Sequence, residues 1–112
     1  MSKFVATKNK GFGMFFENGF GISVQWGTEN YCEKKSFNTD TDPMEHAWWE
    51  SLSAEIAIYK DKKFIDLGDD QVIGWLSADK VAKIIEGVSS AESSEEIINE
   101  IKALKIWKNT HK

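Results

Sequence analysis

Residues 12–26 read Phe-Gly-Met-Phe-Phe-Glu-Asn-Gly-Phe-Gly-Ile-Ser-Val-Gln-Trp, and the reading of this stretch decides the fold. Large apolar side chains alternate as Phe12, Met14 and Phe16 up to Asn18-Gly19, and as Phe20, Ile22, Val24 and Trp26 away from it. Period two on both sides of an Asn-Gly pair predicts a β-hairpin. A two-residue turn at Asn18-Gly19 would set Phe16 opposite Gly21 and Met14 opposite Ser23, splitting the apolar set between two faces. A three-residue loop, Glu17-Asn18-Gly19, sets Phe16 opposite Phe20, Met14 opposite Ile22 and Phe12 opposite Val24. Asn18 then closes a type I turn and Gly19 takes the left-handed conformation that this loop length requires. All seven large side chains share one face. The same register puts Phe15 on the other face with Ser23 and Gln25, where a covering helix or a partner would have to protect it.

Upstream of the hairpin, Phe4-Val5-Ala6 can add a short edge strand. Downstream, Tyr31-Cys32-Glu33 can resume as a strand. Residues 36–53 are the least regular part and hold the only proline, in Asn38-Thr39-Asp40-Thr41-Asp42-Pro43. From Ala54 the alternation returns, with Ala54, Ile56 and Ile58 on one face and Glu55, Ala57 and Tyr59 on the other. Asp61-Lys62-Lys63 turns the chain into a second arm, Phe64-Ile65-Asp66-Leu67. Val72 to Leu76 either pairs as one more strand or leads directly into a helix. Ser77 is a good N-cap, Asp79 suits the positive end of the dipole, and Val81, Ile84, Ile85 and Val88 form a stripe at helical spacing, with Gly87 near its end. Ser93 with Glu96 has capping-box spacing, and Ile97, Ile101 and Leu104 point one way along the helix that follows, whose end carries Lys102, Lys105 and Lys108. The expected architecture is a single α+β domain over 1–112. Its antiparallel sheet of four or five strands occupies about 4–76, with two helices near 78–88 and 94–107 covering the apolar face.

A chain of 112 residues can bury one real core without a staple. Seven Phe, two Tyr and five Trp supply it, and five Trp are more than a small core easily hides, so at least one is expected at the surface or in a groove. Eighteen acidic residues stand against fourteen Lys and no Arg. Without the guanidinium fork for guanine edges and phosphates, and with a formal charge of −4, nucleic-acid recognition is disfavoured. Lys3, Lys8 and Lys10, and Lys60, Lys62 and Lys63, read as solvated loops. One cysteine forms no intrachain disulfide, no segment approaches a membrane span, and the expected location is the cytoplasm.

No enzyme motif survives comparison with its chemistry. Cys32 and His46 could pair only with help from Asp40, Asp42 or Glu45, and an isolated Cys beside an aromatic is better read as a small buried hydrophobe. Asn38, Asp40 and Asp42 resemble the opening of a calcium loop, but Pro43 stands where the sharp-turn Gly belongs and Trp49 where the closing Glu belongs. Asp66, Asp69 and Asp70 could hold magnesium, yet the chain has no P-loop, and an ordinary turn explains them. The Gly-Phe-Gly triplets open no helix and make no dinucleotide cradle. Neither metal nor cofactor is expected. Trp48-Trp49 either covers one end of the core or points outward as a binding surface: neighbours in extended chain face opposite sides, which makes burying both harder, and Asp40, Asp42, Glu45 and Glu50 surround the pair with negative charge. Trp48, Trp49, Phe15, Asp40, Asp42, Glu45 and Glu50 are therefore the candidate interface.

The ordered pieces Phe16-Glu17-Asn18-Gly19-Phe20, Ser23-Val24-Gln25-Trp26-Gly27, Asn30-Tyr31-Cys32, Ala54-Glu55-Ile56-Ala57 and Gly74-Trp75-Leu76-Ser77-Ala78-Asp79-Lys80-Val81 resemble small proteins encoded in tailed-phage and prophage genomes. The resemblance spans most of 12–85 and carries no catalytic or binding residue with it. It implies a bacteriophage accessory gene. Together with the absence of enzyme motifs and the compact single domain, it leads to the expectation of a protein in the host cytoplasm, monomer or small homo-oligomer, that binds a host protein, a counter-defence inhibitor being one form. The alternative is a small-ligand or nucleotide-sequestering domain in which Trp26, Trp48 or Trp49 stacks on a base.

Overall fold

The computed structural model describes residues 2–7, 10–27, 30–33, 50–67 and 71–110, with side chains as far as Leu104. Six strands, β1 (Lys3–Thr7), β2 (Gly11–Phe15), β3 (Phe20–Gln25), β4 (Ala54–Lys60), β5 (Lys63–Phe64) and β6 (Val72–Leu76), precede two helices, α1 (Ala78–Ser90) and α2 (Ser94–Thr110). The sheet is antiparallel in the order β1-β2-β3-β4, and β5 and β6 both pair with the far side of β4. This is the α+β architecture expected, with one strand more.

The hairpin has the register argued from its apolar pattern. Phe12 pairs with Val24 and Met14 with Ile22, and the Phe16 amide donates to the Phe20 carbonyl at 2.8 Å. Gly19 has a φ of +89° and its amide donates to the Phe16 carbonyl at 3.1 Å, closing the three-residue loop. The inner face then continues across β4, where Ile22 meets Ile58 and Val24 meets Ile56, and Ile56 meets Ile73 of β6. Val81, Ile84 and Val88 of α1 and Ile97 and Ile101 of α2 are buried in the same cluster, with Phe12, Met14, Phe16 and Trp26 packed half-buried at its side. Burying each large apolar side chain contributes about 1.5–3 kcal/mol, so this single layer of helix on sheet is what holds the domain together.

The hairpin turn is also tied to the helices. The Asn18 side-chain amide donates to the carbonyls of Val88 and Ala91 at 2.9 and 3.0 Å, while its oxygen accepts from the Phe20 amide at 3.1 Å. The last carbonyls of α1 lack partners within the helix, and here the turn provides them. At the other end, the Lys80 amide donates to Ser77, the expected N-cap. The Glu96 amide donates to Ser93 at 3.3 Å, but the Glu96 carboxylate accepts from the Glu92 amide, one residue before its capping-box partner.

Several expectations are corrected. Tyr31 to Glu33 is a bend rather than a strand, because its polar groups are taken by side chains from neighbouring segments. The second arm of the β4 hairpin is a strand only at Lys63–Phe64, and Asp61 and Lys62 turn with φ of 50° and 72°. Gly87 lies inside α1, which runs on to Ser90; a Cβ there would meet the Glu100 carboxylate of α2. Lys3 and Lys60 sit in strands, not loops, with Nζ 5.5 Å from the Phe15 ring centre and 4.3 Å from that of Phe20. Phe15 is on the outer face as argued, and among the described residues its cover comes from the sheet itself. Its ring lies across the bare backbone of Gly21, where a Cβ would collide with it, and reaches Tyr59 at 5.4 Å; Tyr59 in turn stacks on Phe64 at 4.5 Å.

Candidate functional site

Of the residues picked out by sequence, Trp48, Trp49, Asp40, Asp42 and Glu45 lie outside the described residues, as do His46, Asp69 and Asp70. Phe15 is absorbed into the outer aromatic row. Glu50 is exposed, and it borders a surface that the sequence reading did not assemble.

That surface is built by the bend after β3. Asn30 is buried, and it fixes the bend by accepting from the Gly27 amide at 3.0 Å and donating to Gln25 at 3.2 Å and to Glu55 at 3.1 Å. The second Glu55 oxygen accepts from the Tyr31 amide at 3.1 Å, and the Cys32 thiol, fully buried, donates to the Gly27 carbonyl at 3.4 Å. Glu33 next joins this bend to the segment before β4: its amide donates to the Ser53 hydroxyl at 2.9 Å and its carboxylate accepts from the Leu52 amide at 3.2 Å. Ser51 and Ser53 bond to one another, so residues 51–53 are held on both sides.

β6 completes the arrangement through a bulge. Ala54 pairs with Leu76 but Ile56 pairs with Ile73, so Gly74 and Trp75 together stand opposite one residue of β4. Gly74 carries no side chain because Tyr31 occupies the space a Cβ would need. Trp75 takes a φ of +60°, donates its amide to the Tyr31 carbonyl at 2.8 Å, and is left 49% exposed. Tyr31 is 46% and Leu52 80% exposed. Three hydrogen-bonded segments thus each expose a large apolar side chain, Tyr31, Trp75 and Leu52, with Glu33 and Glu50 beside Leu52.

Leu52 is also the lip of a cleft of about 350 Å³ between the inner sheet face and the first turns of α1, lined by Phe12, Trp26, Leu76, Val81 and Ile85 among others. Its described lining holds no cation. Among the described residues no group of three His, Cys, Asp or Glu side chains is placed to hold a metal ion, and no helix is long and apolar enough to cross a membrane. The chain matches no protein-family model, no curated protein and no solved structure.

The signal for Trp75 was present in the sequence. Strict alternation over Val72 to Leu76 would put Ile73 and Trp75 on one face and Leu76 on the other. Two core positions three residues apart with a Gly between them instead require a bulge, and a bulge re-aims the side chain it contains.

Proposed function

We propose that this chain is a binding protein that engages another protein through Tyr31, Leu52 and Trp75, with Glu33 and Glu50 selecting a basic surface. The observation that carries the reading is Trp75. A left-handed backbone at a non-glycine residue costs about 1–2 kcal/mol, and the side chain held by that backbone keeps half of its surface in solvent, within reach of a partner. Trp and Tyr are the side chains most enriched among residues that dominate interfaces, and carboxylates at the rim raise association rates with cationic partners. The resemblance to phage-encoded proteins supplies the setting: the partner is a host protein, and blocking a defence system is the sharpest form of the proposal. The alternative, a ligand or nucleotide site at Trp26, is supported by the neighbouring cleft, but an open apolar cleft with no cation in its described lining suits a nucleotide poorly.

Affinity purification from infected host cells tests this with three baits: the wild-type chain, Trp75→Gly and Glu50→Lys. Trp75→Gly relieves the left-handed strain but also removes the buried half of the ring, so it should stay folded, as chemical denaturation checks, while losing the host protein. The charge reversal at exposed Glu50 should retain the fold and lose the same protein. Capture of that protein by both variants at wild-type level sinks the proposal.

A further inference from the structure

We propose that two copies of this chain pair through β1, antiparallel across a two-fold axis at Val5, to make one continuous sheet. Among the described residues β1 pairs with β2 alone, so its other side is a sheet edge. The alternation of ladder bonds says which groups that edge offers. Phe16 and Lys10 bond to β3 and its extension, at Phe20 and Trp26, so the even-numbered residues of β2 face β3 and the odd-numbered ones face β1. Their partners Lys3, Val5 and Thr7 are consequently used within the chain, and the amides and carbonyls of Phe4 and Ala6 face outward.

The side chains fit a second copy of the same strand. Antiparallel pairing that keeps both sheets' faces aligned allows axes at Phe4, Val5 or Ala6, and only the axis at Val5 engages all five residues of the strand. It sets Phe4 against the other copy's Ala6, large against small, with both outward-facing groups of each forming ladder bonds. It sets Val5 against Val5 in the close, non-hydrogen-bonded position, and Lys3 against Thr7, so no like charges meet. Phe4 is 80% and Val5 39% exposed in the single chain, and both gain cover.

The edge also lacks the usual protection. Natural edge strands are blunted by Pro, bulges or lysines that point into solvent, whereas β1 has neither Pro nor bulge and its one lysine lies over the Phe15 ring. The strand is pre-positioned as well, because the Ser2 amide donates to the Glu17 carboxylate at 3.0 Å and pins its start to the hairpin loop. A five-residue strand pair buries less than the roughly 1,200–2,000 Å² of a standard stable interface. The dimer is therefore a weak one, forming as concentration rises from the micromolar toward the millimolar range.

Sedimentation and light scattering of the whole chain over that range test the pairing, together with three variants. Wild type should pass from monomer to dimer, and Val5→Lys, which places two ammonium groups across the axis at a partly exposed site, should stay monomeric with an unchanged far-ultraviolet spectrum. Cys pairs facing each other in the non-hydrogen-bonded position have Cα atoms about 4.5 Å apart, within disulfide reach, so Val5→Cys should crosslink on mild oxidation while Phe4→Cys lags at least tenfold. Cys32 is buried and can stay in place. A wild-type chain that remains monomeric at the highest concentration overturns the proposal. So does a dimer that survives Val5→Lys, or one in which Val5→Cys fails to crosslink.

Discussion

Asn18 shows how a single residue can serve two levels of structure at once. Its turn role was legible, because Asn-Gly between alternating apolar runs is a local pattern. Its second role was not, since the carbonyls of Val88 and Ala91 are 70 and 73 residues away and nothing in a local pattern names them. Removing the side chain leaves those carbonyls and the Phe20 amide part-buried without it, and a lost buried partner costs about 1–3 kcal/mol. Asn18→Asp separates the two roles: it keeps the oxygen that accepts from Phe20, loses both donors, and brings a carboxylate to the negative end of α1. Chemical denaturation should rank wild type above both variants, with Asn18→Asp no better than Asn18→Ala. An aspartate variant as stable as wild type would mean that the cap contributes nothing.

Among the elements, strands β2, β3 and β4 and both helices were readable because each has one apolar face and a clean period. The second arm at β5 was expected but drawn too long, and β6 was left open between a strand and a lead into the helix, since two residues of strand carry almost no pattern and a bulge breaks the period that reveals it. The outer face of the sheet was misread for a related reason. Glycine in a strand counts against it by propensity, yet Gly21 stands between Phe15 and Tyr59 in one row across three strands and leaves the space in which the Phe15 ring lies. Propensity and packing therefore disagree about Gly21→Val. Val is the better strand former by up to about 1 kcal/mol, but it must displace an aromatic ring that also touches Tyr59, and overpacking of that kind costs about 1–3 kcal/mol. The variant should be destabilised, and its near-ultraviolet circular dichroism should change as the Phe15–Tyr59 contact is lost. A stabilised variant would show that the ring moves aside freely.

For the whole molecule, sequence made the layer of helices on sheet legible but did not single out exposed Tyr31, Leu52 and Trp75, because polar bonds among two irregular segments and a bulged strand position them. Irregular segments have no period to read. The balance of charges across the assembled fold has its own consequence, which is a stability that depends on pH in a definite direction. Glu100 packs beside Gly87 at the contact of α1 and α2, where burial and then the nearby Glu86 carboxylate raise its pKa above the ordinary 4.5. A carboxyl raised in the folded state contributes stability that is fully present below the unfolded value and is lost as pH climbs through the folded one. Glu17 acts in the opposite sense: the Ser2 amide, the largest influence on it, lowers its pKa, and the contribution is lost as pH falls; being fully exposed, it is easily screened by salt. Glu17 is the same in both proteins, so the difference between wild type and Glu100→Gln, which cannot ionise, isolates the Glu100 effect. The two proteins should unfold at the same denaturant concentration well below pH 4.5, and Glu100→Gln should become the more stable as pH rises to neutrality. A difference that does not change with pH, or a glutamine variant less stable at neutral pH, would show that the carboxylate is held by favourable contacts which outweigh its burial and its repulsion from Glu86.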